Sequence, residues 1–313
     1  MSRPSPVPPG GSGDEYRVGV RARAPASAAN LGPGFDTLAV ALDRYIEVEV
    51  EPADRLDVRT EGEGAGLSDD PSHLAARVAI QVAGTDRLSI TVRSQIPVAR
   101  GLGSSAALAV AAAAAAGSDD PLGVAAQMDG HPDNAAASTV GGLVAAARVR
   151  GGIQAVRLPL DVSLAFVVIV PDVTLSTARA RQALPTDVPR ESAAFNLSRM
   201  ALLIAGLADS RLLISEATED RLHQDYRSPL FPAAPMLLAG MAAGGAQAVC
   251  WSGAGPSLLG ICQGADAHTV RAAAEVALAE SGVPGQVMIM HPDLHGLVVD
   301  RADSDAFFDF DAG

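Results

Sequence analysis

The 313-residue chain contains no lysine: all 23 of its basic residues are arginine. That absence removes Schiff-base chemistry, a lysine general base and the lysine of a P-loop together. A GC-rich genome would account for the bias, and the chemical exclusion holds whatever its cause. Basic charge is scarce as well. The net charge is −13 and the pI near 4.8, which argues against a nucleic-acid partner or an anionic membrane surface. Cysteine is limited to Cys250 and Cys262. Two such residues make no metal motif, and no structural disulfide is expected of them. Long apolar runs are missing too. The longest, Ala106 to Ala116, falls short of the roughly 20 residues that span a bilayer. The opening "MSRPSPVPPGGSGDE" lacks the apolar core of a secretory signal and reads as a disordered leader over 1–15. A cytoplasmic location is the resulting expectation.

What is present is globular: 48% apolar and 19% charged residues, with length enough for two domains. "YRVGVRARAP" and "RYIEVEVEP" alternate as separate strands, and "RLSITVRSQIPV" is a third. "HLAARVAIQVAG" has helical spacing and ends on Gly84, a suitable C-cap. Further helices are expected from Ser104 to about Gly117 and at 191–208, 211–220, 233–244 and 267–281. "SLAFVVIVP" reads as a strand buried on both faces, and "AQAVCWSGAGPSLLGIC" as strand, turn, strand. The class is therefore α/β or α+β. The expected division is a first domain over 16–158 and a second over 159–302, with an acidic tail over 303–313.

Residues 98–107, "VARGLGSSAA", join a strand to an alanine-rich helix. Free N–H groups and a dipole of roughly +0.5 charge favour an anion at such a helix start. Gly101 and Gly103 permit close backbone approach, while Ser104 and Ser105 add hydroxyls. Yet the stretch matches neither GxGxxG nor a P-loop, so a capped packing helix explains it equally well. "PASAANLGPGFDTL" sets Asn30 and Asp36 about a turn, which an Asx turn also explains. "GHPDN" at 130–134 has too few ligands for zinc and fits a helix start capped by Asp133 or Asn134. "SGAGPS" fits a second phosphate turn or a tight hairpin. Arg181 and Arg227 suit a carboxylate or phosphate clamp, or surface ion pairs.

In this order, these segments resemble the homoserine kinases of the GHMP small-molecule kinase superfamily, from about Val20 to Val299. "PASAANLGPGFDTL", "IPVARGLGSSAA" and "WSGAGPSLL" are similar to the three superfamily motifs. "GHPDN", "PDVTLSTARARQALP", "FNLSR" and "RLHQDYRSPLFP" are similar to segments of homoserine kinases within it. The resemblance implies an α+β, two-domain GHMP kinase fold with an S5-like N-terminal and a ferredoxin-like C-terminal domain. It implies ATP and Mg²⁺, and transfer of the γ-phosphoryl group to L-homoserine, giving O-phospho-L-homoserine for threonine synthesis. No nucleic acid or membrane partner is expected, and a homodimer is suggested.

By the same resemblance ATP would lie over Pro97, Arg100, Gly101, Leu102, Gly103, Ser104, Ser105, Ala106 and Ala107. Ser252, Gly253 and Gly255 would support that loop. Arg181 and Arg227 would take the substrate carboxylate and Asp36 its ammonium; Asn30, His131 and Asn134 would orient the rest. Asn134 and Arg181 would act in catalysis, with no strong base and a phosphate oxygen accepting the proton. The family's magnesium-ligand Glu, about three turns ahead of the Asn, falls on Gly123 by counting. Asp119, Asp120 or Asp129 would then replace it, or Ser104 alone would hold metal. An Asn common near the base is here His73. Two alternatives remain: a non-catalytic GHMP-fold binder, and a GHMP kinase for another small alcohol, which Asp36, Arg181 and Arg227 together disfavour.

Overall fold

The computed structural model describes residues 19–129 and 131–301. The leader expected over 1–15 and the tail over 303–313 lie outside the described residues. Two sheets organise the chain. The first contains β1 (Val20–Asn30), β2 (Gly34–Pro52), β3 (Asp57–Gly62), β4 (Leu88–Ser94), β5 (Leu143–Val149) and β6 (Gly152–Leu158). Its helices are α1 (Leu74–Ala83), α2 (Ser104–Ala115), α3 (Pro121–Asp129) and α4 (Pro132–Val140). The second contains β7 (Leu164–Pro171), β8 (Ala248–Trp251), β9 (Leu258–Gln263) and β10 (Gly285–Met290). With it come α5 (Thr177–Gln182), α6 (Arg190–Ala208), α7 (Gln224–Arg227), α8 (Ala234–Ala243) and α9 (Ala267–Ser281). The final strand, β11 (Val298–Arg301), crosses the expected boundary and pairs antiparallel with β1 in the first sheet.

β2 extends one expectation. "RYIEVEVEP" is a strand as expected, and it forms the far half of a 19-residue one that begins at Gly34. Its first half pairs with β5 and its second with β4, while β1 runs along both. Alternation decides the faces: Ile46, Val48 and Val50 point into the core. Outward Glu47 and Glu49 meet Arg93 and Arg21 at 2.9 and 3.1 Å. Behind this sheet α2 has eight alanines in twelve residues, and nine of the twelve are buried. Small side chains let its backbone lie close to its neighbours, and alanine is the best helix former. That fixes where the helix starts, and so where the loop before it sits.

The second sheet has the order β10-β7-β9-β8, all antiparallel. In chain sequence this is βαββαβ, the ferredoxin-like arrangement. β7 is buried along its whole length because its two faces serve different cores. Ala165, Val167 and Ile169 pack with residues of α8 and α9; Leu164, Phe166 and Val168 join the first core with Leu203 and Leu207 of α6. The helix expected over 211–220 is absent. Two 3-10 turns, Ser210–Leu212 and Ser215–Thr218, replace it. Asp161 holds the Ser210 N–H and hydroxyl, and the Thr218 hydroxyl donates to the Val249 carbonyl at 2.8 Å, so side chains compete with helix bonds. Cys250 and Cys262 are free and buried. No described helix is long and apolar enough to cross a membrane.

Candidate active site

The loop ahead of α2 turns through left-handed backbone at Ala99, Gly101 and Gly103 (φ +56°, +80° and +68°). Gly103 occupies the N-cap and offers no side chain to the helix. The first bond returning to it comes from Ala107, at 2.9 Å. The N–H groups of Ser104, Ser105 and Ala106 therefore have no acceptor among the described residues, and all three residues line a cavity of about 270 Å³. Donors converging at a helix start make an anion site.

"SGAGPS" proves to be a hairpin turn that braces this loop. Ser252 N–H donates to the Ser257 carbonyl, closing the hairpin. The Ser252 hydroxyl donates to the Gly101 carbonyl at 2.7 Å, and Ser257 N–H to the Arg100 carbonyl at 3.2 Å. A Cβ at Gly101 would sit 2.4 Å from the Ser252 carbonyl oxygen. Only glycine fits between the two turns.

The other end of the cavity is built on the β1–β2 turn, where Asn30, Leu31, Gly32 and Asp36 all have positive φ. The Asn30 amide donates to the Gly253 carbonyl at 2.8 Å and accepts the Asp36 N–H at 3.0 Å. Asp36 receives two hydrogen bonds from the Arg181 guanidinium, at 2.5 and 3.1 Å. His131 Nε2 stands 4.0 Å from the same carboxylate. Arg181 lies on α5, whose start is set by the Ser176 hydroxyl accepting from Arg179 N–H.

Arg227, read as either a clamp or a surface ion pair, is 1% exposed. Its guanidinium donates to the Gly253 carbonyl at 2.9 Å and to His223 Nδ1 at 3.1 Å. Both arginines lie over the Phe35 ring, at 5.5 and 5.6 Å. Burial, and then the neighbouring Arg181 charge, push the Arg227 pKa down to about 10. It stays a cation at neutral pH.

The cavity thus brings together Asn30, Asp36, Arg100, Gly101, Gly103, Ser104, Ser105, Ala106, His131, Asn134, Arg181, Arg227, Gly253 and Gly255. Pro97, Leu102, Ala107 and Ser252 are buried outside its lining. His73 is also elsewhere: buried, it caps α1 by accepting the Ala75 N–H. The cap expected of Asp133 or Asn134 is displaced. His131 holds the N-cap position of α4 without a side-chain bond, because Pro132 opens the helix.

Two residues at the site carried no separate signal in the sequence. Ser27 contacts it through its hydroxyl, which donates to Asn134 Oδ1 at 2.9 Å. Asp133 is 3% exposed and lines the cavity, its Oδ1 accepting the Asn134 N–H. Gly123, Asp119 and Asp120 do not line it. The Asp120 carboxylate instead caps α3 at the Gly123 N–H, 2.9 Å away. The side chain of Asp129 lies outside the described residues. Among the described residues no three His, Cys, Asp or Glu side chains cluster as a metal site. Chemically, one end of the cavity presents backbone N–H donors suited to an anion and the other a carboxylate and two guanidiniums.

The chain is similar to known proteins over most of its length. The family model described as the GHMP kinases N terminal domain matches residues 72–142. The homoserine kinase of Moorella thermoacetica is 40% identical over 292 residues, covering 88% of this chain and 98% of its own. A homoserine kinase of Thermus thermophilus is 41% identical over 261 residues, 79% of this chain and 89% of its own. The crystal structure of homoserine kinase from Cytophaga hutchinsonii superposes with a TM-score of 0.80 at 25% identity, covering 93% of this chain and all of that one.

Proposed function

The chain belongs to the homoserine kinase family of GHMP kinases, and on that premise we propose that it transfers the γ-phosphoryl group of ATP to L-homoserine. The product is O-phospho-L-homoserine, the precursor for threonine synthesis. We assign the triphosphate to the free N–H groups of Ser104, Ser105 and Ala106. Phosphoryl transfer needs positioning and charge stabilisation more than covalent help, which suits a site without an evident strong base.

The observation that carries the substrate assignment is the Asp36–Arg181 pair beside Arg227. The two charges satisfy each other at 2.5 Å. A neutral alcohol that separated them would strand both, and unpaired charges in a confined site are unfavourable. An amino-acid zwitterion replaces each partner: its ammonium meets Asp36, its carboxylate meets Arg181 and Arg227. Asn30, His131 and Asn134 then orient the side-chain hydroxyl towards the phosphate end. Arg181 would also stabilise the charge that develops during transfer.

Mg²⁺ belongs to the same proposal. The Ser104 hydroxyl and the Asp133 carboxylate are oxygen donors in the cavity lining. Two protein oxygens fit a cation that keeps several waters and takes the rest of its ligands from phosphate. The cation would supply charge neutralisation and register for the phosphates. A cytoplasmic location and a homodimer, the latter tested by light scattering, complete the reading.

The test is ADP release with MgATP and a panel of acceptors: L-homoserine, 4-hydroxybutyrate, 4-amino-1-butanol and mevalonate. Turnover with homoserine far above the others is expected. Preference for a purely anionic or purely cationic alcohol would overturn the substrate assignment. ATP binding without turnover of any acceptor would identify a non-catalytic binder.

A further inference from the structure

The segment "RLHQDYRSPLFP" contributes Arg227 to the cavity, but it also buries a histidine that lines no part of it. His223 is fully enclosed, and its Nε2 stands 2.8 Å from the Gly32 carbonyl. A ring nitrogen facing a carbonyl must carry the proton. Nδ1 is then bare and accepts the Arg227 Nη1–H at 3.1 Å. The imidazole also stacks on Phe35, with centroids 5.2 Å apart and planes at 27°. One ring therefore joins the turn that carries Asn30 and Asp36 to the helix that carries Arg227.

We propose that His223 is a positioning residue: as the neutral Nε2–H tautomer it aims the Arg227 guanidinium at the substrate carboxylate. This rests on the assignment of Arg227 to that carboxylate. The groups facing the ring agree with a neutral state. Burial and the Arg227 charge disfavour imidazolium, and the Asp220 carboxylate, 3.6 Å from Nε2, and the more distant Asp36 favour it. Burial prevails, pushing the imidazole down to about 4. Asp220 is itself occupied by the N–H groups of Leu222, His223 and Gln224, so it holds the helix start more than the ring.

A double-mutant cycle separates positioning from packing. His223→Phe keeps the stack and loses both hydrogen bonds; His223→Gln keeps a donor and an acceptor. Losing an acceptor for a charged donor should raise the homoserine KM roughly ten- to hundredfold, with the ATP KM unchanged. His223→Gln should recover most of it, and in an Arg227→Lys background His223→Phe should add less than about twofold. Equal effects in both backgrounds, or equal shifts in the homoserine and ATP KM, would overturn the proposal. ¹⁵N NMR of the wild-type histidines provides a readout independent of turnover. An Nε2–H ring at pH 7 supports it; an Nδ1–H or protonated ring overturns it. Absence of homoserine turnover in the wild type would instead count against the functional reading, whichever tautomer is found.

Discussion

Gly103→Ala perturbs the point where both ends of the cavity meet. The new Cβ would lie 2.1 Å from the Ser27 hydroxyl oxygen and 3.2 Å from Asn134 Oδ1. Neither can stay in place, and the Ser27–Asn134 hydrogen bond is the contact that breaks. Losing it costs about 0.5–1.5 kcal/mol. The backbone at φ +68° adds about 1–2 kcal/mol for a residue with a Cβ. The sum is roughly 1.5–3.5 kcal/mol, and at about 2 °C per kcal/mol for a chain of this length the Tm falls by roughly 3–7 °C. Both substrates should feel it: the helix start moves under the phosphates, and Asn134 moves beside the acceptor. The assay is thermal unfolding of Gly103→Ala in the wild type and in Ser27→Ala, with steady-state kinetics on each. Once the Ser27 hydroxyl is gone, only the backbone part should remain. If Gly103→Ala cost as much in Ser27→Ala as in the wild type, the collision would not be the cause.

The other expectations are as direct. Arg227→Ala should raise the homoserine Kd by roughly tenfold or more, through loss of a charge-assisted bond, and leave ATP binding intact in calorimetry; an unchanged homoserine Kd would remove Arg227 from the site. Gly123→Glu should not lower the Mg²⁺ requirement, since Gly123 lies outside the cavity lining. Its Cβ would strike the Asp120 carboxylate at 2.0 Å, displacing a cap worth about 0.5–2 kcal/mol. Asp133→Asn, by contrast, should raise the Mg²⁺ concentration needed for half-maximal rate, and the reverse pattern would return the metal to α3. Finally, burial holds His73 below its ordinary 6.5 and His223 at about 4. The unfolded chain thus takes up these protons first, so their stabilisation is present above about pH 6.5 and is lost as pH falls towards the folded values. Urea unfolding at pH 5.5 should show lower stability than at pH 7.5, on the order of 1 kcal/mol from His223, while ordinary carboxylates stay ionised; equal stability at both would contradict the buried neutral rings.

Local rules carried most of the fold. Gly84 ends α1 in the left-handed conformation expected of a C-cap glycine, and α9 spans 267–281 as its spacing predicts. Where tertiary partners intervene, the pattern misleads. Residues 211–220 have helical spacing, but Asp161 and the Val249 carbonyl engage Ser210 and Thr218 from outside the segment. β2 is longer than its alternating stretch, because β5 pairs with the first half and β4 with the second. The site was legible as motifs, not as geometry. Counting three turns back from Asn134 assumes one continuous helix, whereas α3 ends at Asp129 and α4 begins at Pro132. Nothing local distinguishes Asp133 as a cavity carboxylate from a cap, and burial alone makes that choice. His223 and Phe35 gain their roles from a contact 188 positions apart in sequence.

Transfer of the phosphoryl group to the side-chain hydroxyl of homoserine can be followed by incubating the protein with MgATP and L-homoserine and recording ³¹P NMR, with mass spectrometry of the product. A phosphomonoester resonance from O-phospho-L-homoserine is expected, formed one for one with ADP and absent without homoserine. Release of inorganic phosphate alone, or no loss of ATP while both ligands bind, would contradict it.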